Sequence, residues 1–229
     1  MKCPATQPAK IELGRWLRTR HVSIEELNVA WGTRFASWND LMTTTTLADS
    51  DSFKADIRDF NTIIVDRYFR LCREAVKSVA PARLYLGCRF LGHHASNHDL
   101  SQACATYADV LSVNMYTHTP GNFPLAGFPD IPVLISEFHF GIGDRGMLSP
   151  GLAIAGTTPA ERGTAYTRFL QGALSHPLIV GTHWFQYRDQ PLIGRWDGEG
   201  YQIGFVDVAD TPCPELTTAA RAVGELMYP

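Results

Sequence analysis

From residue 83 onward, four short apolar runs, Leu84–Arg89, Val110–Tyr116, Val133–Phe138 and Leu178–Tyr187, are separated by helix-patterned or turn-rich segments. Strands that alternate with helices predict parallel βαβ units, because a parallel pair needs a crossover that returns the chain to the same end of the sheet. Asp99–Tyr107 has a helical pattern. Thr158-Pro159-Ala160-Glu161 is a capping box with Pro in the first helical position, and it opens a helix with Tyr166, Phe169, Leu170, Ala173 and Leu174 on one face. Pro214 opens a last helix carrying Leu216, Ala219, Ala220, Val223 and Leu226. The connection from Tyr116 to Ile131 is short and rich in Pro and Gly, so its helix should be reduced or missing.

The stretch before residue 83 reads differently. Ser23 and Glu26 predict a helix start ahead of Leu27 and Ala30. A second helix is expected from near Ser52 to before Pro81, with Ile57, Phe60, Ile64, Tyr68, Leu71, Ala75 and Val79 at helical spacing. Thr43–Leu47 is the one weak strand candidate here. No linker or repeat interrupts the chain, so residues 1–229 are expected to form one domain, with a helical lead-in over 1–82 and four βα-type units over 83–229.

Composition narrows the function. With 20 Lys+Arg against 23 Asp+Glu, the charge of −3 leaves no basic surplus for phosphate backbones, and no nucleic-acid partner is expected. A hydrophobic share of 45% excludes a disordered chain. No apolar run approaches the ~20 residues of a membrane span. Met1-Lys2-Cys3-Pro4 opens no apolar signal segment, so as it stands the chain reads as cytoplasmic. The five cysteines form no CxxC pair and read as free thiols.

The strands carry an asymmetry. Leu84, Leu86 and Cys88 should share one face of the first, with Tyr85, Gly87 and Arg89 on the other. Leu111, Val113 and Met115 oppose Ser112, Asn114 and Tyr116 in the second. One face thus turns polar toward the strand ends, as in a barrel whose outer face packs on helices and whose upper inner face lines a site. The third strand ends an apolar run in Glu137, which shares a face with Val133 and Ile135. His93, His94, His98, His118, His139 and His183 lie at or just after strand ends, with Arg89, Asn114, Tyr116, Trp184 and Tyr187. Aromatic rings mixed with polar donors suit sugars, whose CH faces stack while their hydroxyls need convergent hydrogen bonds.

Ser136-Glu137-Phe138 resembles the nucleophile strand of the clan A glycoside hydrolases, and His183-Trp184-Phe185-Gln186-Tyr187 resembles their eighth strand. The block from Gly181-Thr182-His183-Trp184 through Asp189-Gln190-Pro191, Gly194-Arg195, Asp197-Gly198-Glu199 and Ile203-Gly204-Phe205-Val206-Asp207 is similar to the family 50 β-agarases. So are Tyr85–Phe90, Asn114-Met115-Tyr116, Leu27-Asn28, Ala30-Trp31-Gly32 and Ser37-Trp38. The resemblance implies a retaining glycoside hydrolase on β-galactosidic links, with Glu137 as nucleophile and no cofactor or metal. It implies substrate contacts at Arg89, Asn114, Tyr116, His139, His183, Trp184, Gln186 and Arg195.

A retaining enzyme needs a second carboxyl group, an acid/base that clan A places in an Asn-Glu pair at the end of the fourth strand. This chain has no Asn-Glu dipeptide, and Glu12, Glu25, Glu26 and Glu74 all sit in helix-like settings. The four strands then correspond to strands five to eight, a half (β/α) barrel of TIM type with preceding helices. At 229 residues the length is close to the ~250 of a whole barrel, but the content is that of half. A half-barrel has two open edges, which predicts closure as a homodimer or higher homo-oligomer. Glu199, Asp189, Asp197 or a partner's carboxylate would supply the acid/base. Two other readings stay open: a non-catalytic carbohydrate-binding remnant, and a metal-dependent hydrolase using His93, His94 and His98 with Asp99.

Overall fold

The computed structural model describes residues 2–46, 48–91, 97–121, 123, 129–144, 146 and 149–227. The contacts cluster into two compact units, Met1–Tyr68 and Phe69–Pro229. The division falls inside a single helix, where neither a linker nor a composition shift marks it.

The first unit holds α1 (Pro8–Arg20), α2 (Ile24–Trp31), α3 (Trp38–Thr43) and the start of α4 (Asp51–Val79). Ser23 caps α2 by accepting the Glu26 N–H, while the Glu26 carboxylate takes the N–H of Val22. Gly32 ends α2 at φ 67°, a conformation that a Cβ would strain. The core is Leu13, Leu17, Ile24, Leu27, Trp31, Leu41, Phe53 and Phe60. Buried Asp56 is offset by three donors: Arg20 at 2.6 Å, His21 at 2.8 Å and the Trp31 indole at 2.8 Å. Such partners are what a carboxylate needs to leave water. Thr43 closes α3, residues 44–46 form no strand, and Leu47 lies outside the described residues.

The second unit takes the rest of α4, then β1 (Arg89–Leu91), α5 (His98–Tyr107), β2 (Leu111–Asn114), β3 (Val133–Phe138), α6 (Pro159–Leu174), β4 (Ile179–Trp184) and α7 (Pro214–Met227). The four strands form one parallel sheet in the order β1-β2-β3-β4, so chain order equals spatial order. The expected capping box is present at α6, where the Thr158 and Glu161 side chains exchange bonds with each other's backbone. Phe138 stacks on Phe169 of α6 at 4.3 Å and ties the end of β3 to the helix behind it. Arg162 of α6, wholly buried, donates to the carbonyls of Phe140 at 2.8 Å and Gly204 at 3.0 Å.

The first strand departs from the sequence pattern. It spans Arg89–Leu91 rather than Leu84–Arg89. Gly87 turns to φ 65° and breaks the extended path, so residues before it run beside β2 without a ladder. Asp109 there exchanges bonds with Tyr85: its carboxylate accepts the Tyr85 N–H and its own N–H donates to the Tyr85 carbonyl. Tyr85 is buried, while Leu84 and Leu86 are exposed, the reverse of the expected packing face. The Lys77 ammonium, the Tyr85 N–H and the Arg73 guanidinium hold the Asp109 carboxyl well below the usual carboxylate range. The other ladders are shorter than or equal to the apolar runs, and β4 stops before a cis peptide between Phe185 and Gln186. No helix among the described residues is long and apolar enough to cross a membrane.

Candidate active site

Two neighbouring strands deliver donors to one carboxylate on a third. Asn114, the last residue of β2, pairs in register with Glu137 of β3, next to an irregularity between Val113 and Asn114. Its Nδ2 donates to Glu137 Oε2 at 2.5 Å, and the Tyr116 hydroxyl donates to the same oxygen at 2.7 Å. Arg89, which opens β1, donates through Nη1 to Glu137 Oε1. The Glu137 side chain is 16% exposed and that of Arg89 is 60% exposed, so the carboxylate sits at the site floor beneath a solvent-facing cation. Burial, followed by the hydrogen bond to Glu137, pushes the Tyr116 phenol well above the usual tyrosine range, so it stays a donor at neutral pH. Buried Ser136 donates its hydroxyl to Asn114 Oδ1 at 2.9 Å. That bond fixes which end of the Asn114 amide faces Glu137.

Behind Tyr116 stands His139, 1% exposed, with ring centroids 4.7 Å apart. Its Nε2 accepts the Leu152 N–H at 2.8 Å, which requires a neutral imidazole with the proton on Nδ1. Nδ1 meets no partner at good geometry, although the Phe185 backbone lies beside it. Burial drives the His139 pKa from its ordinary 6.5 down to about 4, with the Arg162 charge adding to the effect. Gly151 at φ 82° lets the backbone pass the ring: a Cβ there would lie 2.5 Å from His139 Nε2. The Tyr201 ring closes the other side at 6.0 Å.

Among the other expected residues, Trp184, Gln186 and Arg195 bond to other partners in this unit. The Trp184 indole packs against Phe138, Tyr166 and Phe205 and donates to the Ile203 carbonyl at 2.8 Å. His183 is exposed, and Gln186 donates to the Arg188 carbonyl at 3.0 Å. Arg195 pairs with Asp197 at 2.6 Å and with Glu199 at 3.2 Å, and Gln190 also donates to Glu199, at 2.7 Å. Asp189, buried, accepts the Gly204 N–H at 2.6 Å. His93 and His94 lie outside the described residues; His98 and Asp99 are exposed, 3.9 Å apart, at the start of α5. Among the described residues no group of three His, Cys, Asp or Glu side chains could hold a metal ion.

Sequence reasoning missed Ser136 and Arg162. Ser136 was legible only as a neighbour of Glu137. Arg162 sits four residues before Tyr166 and seven before Phe169, on the buried stripe of α6, and that spacing was its signal.

A carboxylate held by Arg, Asn and Tyr from adjacent parallel strands is a sharply defined constellation, and the chain that carries it is similar to known proteins. Beta-agarase B of Vibrio sp. (strain JT0107) is 34% identical over 227 residues, covering 96% of this chain. Beta-agarase A of the same strain is 36% identical over 233 residues, covering 97% of this chain. The solved structure of an exo-β-agarase superposes with a TM-score of 0.89 at 36% identity, covering 99% of this chain and 31% of the other. The structure of PfGH50B gives 0.87 at 34% identity, covering 98% of this chain and 32% of that one. The chain spans about a quarter of the length of the curated relatives it matches. No family model matches it.

Proposed function

We propose that this chain is the nucleophile-bearing part of a retaining, clan A glycoside hydrolase acting on β-linked galactose polymers, with Glu137 as nucleophile. The observation that carries the reading is the grip on Glu137: two donors on Oε2 and a guanidinium on Oε1 aim the carboxylate from β1, β2 and the residues just beyond. In this chemistry a Glu137 oxygen attacks the anomeric carbon, and the leaving oxygen takes a proton from a second carboxyl group. The glycosyl ester then yields to water, deprotonated by that same group. Glu199, the internal candidate for that group, is engaged by Arg195 and Gln190, and both must release it before it can serve. Asp197 is paired to Arg195, and Asp189 is committed to the Gly204 backbone.

The sheet's outer strands, β1 and β4, are each paired on one side only among the described residues, which fits half of a barrel. A second copy of the chain, closing the sheet, would set a second carboxylate across the site. Replacement of Glu137 by Gln removes the nucleophile at nearly constant shape. Hydrolysis of an aryl β-galactoside and of agarose should fall on the order of 10³-fold or more. Full activity in Glu137→Gln refutes the nucleophile, and a stable monomer by light scattering refutes the closure.

The occupied state of Glu199 also favours a second reading, a carbohydrate-binding module without turnover. Calorimetric binding of agaro-oligosaccharides with no product released would select it.

A further inference from the structure

The segment after β4 presents an apolar tip on an ordered base. Gln190 is wholly buried, and its side chain accepts the Tyr201 N–H at 2.8 Å while donating to Glu199. The backbone is closed by Gly194 N–H to the Pro191 carbonyl at 2.8 Å, Arg195 N–H to Glu199 at 2.6 Å and Gly198 N–H to Arg195 at 3.0 Å. From that base Trp196 stands 95% exposed, Ile193 98% and Leu192 66%. A large indole held in water on a braced loop forgoes the burial that normally orders such a residue, which marks it as a contact surface.

We propose that Trp196 is a stacking platform for the extended chain of a galactose-based polysaccharide whose reacting end lies at Glu137. The inference rests on the glycosidase reading above. Two observations select this occupant. First, the loop base adjoins the site: the Tyr201 ring contacts His139, which contacts Tyr116, whose hydroxyl bonds Glu137. Second, the chemistry matches a pyranose, since the indole offers an apolar face and the flanking Arg195 and Asp197 side chains, 31% and 26% exposed, offer partners for hydroxyls. A protein neighbour fits less well. Three side chains of this size offer roughly 500 Å², below the ~800 Å² per partner of a stable interface.

The test uses the whole chain, with retardation in agarose-containing native gels and calorimetry with agaro-oligosaccharides of increasing length. Trp196→Ala should weaken binding of polymer and of the longer oligosaccharides roughly tenfold. It should leave the shortest ligands unchanged, and Trp196→Phe should restore most of the loss. Wild-type retardation in Trp196→Ala overturns the platform while leaving the glycosidase reading in place. A change of solution mass in Trp196→Ala overturns it in favour of a protein contact. A wild-type chain that neither binds nor hydrolyses agarose overturns the platform and the reading together.

Discussion

His139 makes the stability of the second unit depend on mild acid. Folded, its pKa lies near 4 because the ring is buried and the Arg162 charge lies near; unfolded, it returns to the ordinary 6.5. Between those values the unfolded chain binds a proton that the folded chain refuses. Lowering the pH through that window therefore favours unfolding. The gap of about 2.5 pH units, at about 1.4 kcal/mol each, amounts to about 3.5 kcal/mol, present above pH 6.5, of which about 3 kcal/mol is lost by pH 4. With the ring 1% exposed, solvent screening takes little from this figure. His139→Gln keeps an acceptor for Leu152 and removes the titration. Urea unfolding of both proteins at pH 7 and pH 4 should show the stability advantage of wild type over the variant shrinking by about 3 kcal/mol on acidification. The other histidines and the carboxylates cancel in that difference. A constant difference, or an NMR titration of His139 centred near 6.5, would refute the argument.

Two further substitutions test the frame around Glu137. Arg162→Ala strips the donors from two buried carbonyls and leaves a cavity, at a cost of about 4 kcal/mol; the midpoint of thermal unfolding should drop by roughly 10 °C. A loss under 1 kcal/mol would mean that the brace is dispensable. Ser136→Ala releases the Asn114 amide and should cost about 1 kcal/mol in denaturant unfolding. In the glycosidase reading it should also lower kcat on an aryl β-galactoside about tenfold with KM little changed, and an unaltered kcat would show that Asn114 needs no such orientation.

Much of this was legible from local signals. The run Val133-Leu134-Ile135-Ser136-Glu137-Phe138 forms β3 over its whole predicted length, because an apolar alternating segment bounded by turn residues has few other ways to bury itself. The starts of α6 and α7 follow from Thr158/Glu161 and Pro214, since capping needs only residues a few positions apart. Leu84–Arg89 misled for an equally physical reason. Its composition suits a strand, but Gly87 takes a left-handed turn, and the Asp109 carboxylate, distant in sequence, claims the Tyr85 N–H. α4 runs unbroken through Tyr68, so no local signal marks the division between the two units there.

The sequence by itself singled out candidates: a Glu near the end of an apolar strand, with Arg89, Asn114 and Tyr116 on or just after neighbouring strands. Only the tertiary structure decided their contacts. It set Asn114 and Tyr116 on one oxygen of Glu137 and Arg89 on the other, sealed His139 behind Tyr116, packed Trp184 among Phe138, Tyr166 and Phe205, and left Trp196 in water. Periodicity is read within one turn or one strand, whereas hydrogen-bond partners and burial depend on registers between segments tens of residues apart, which no local pattern encodes.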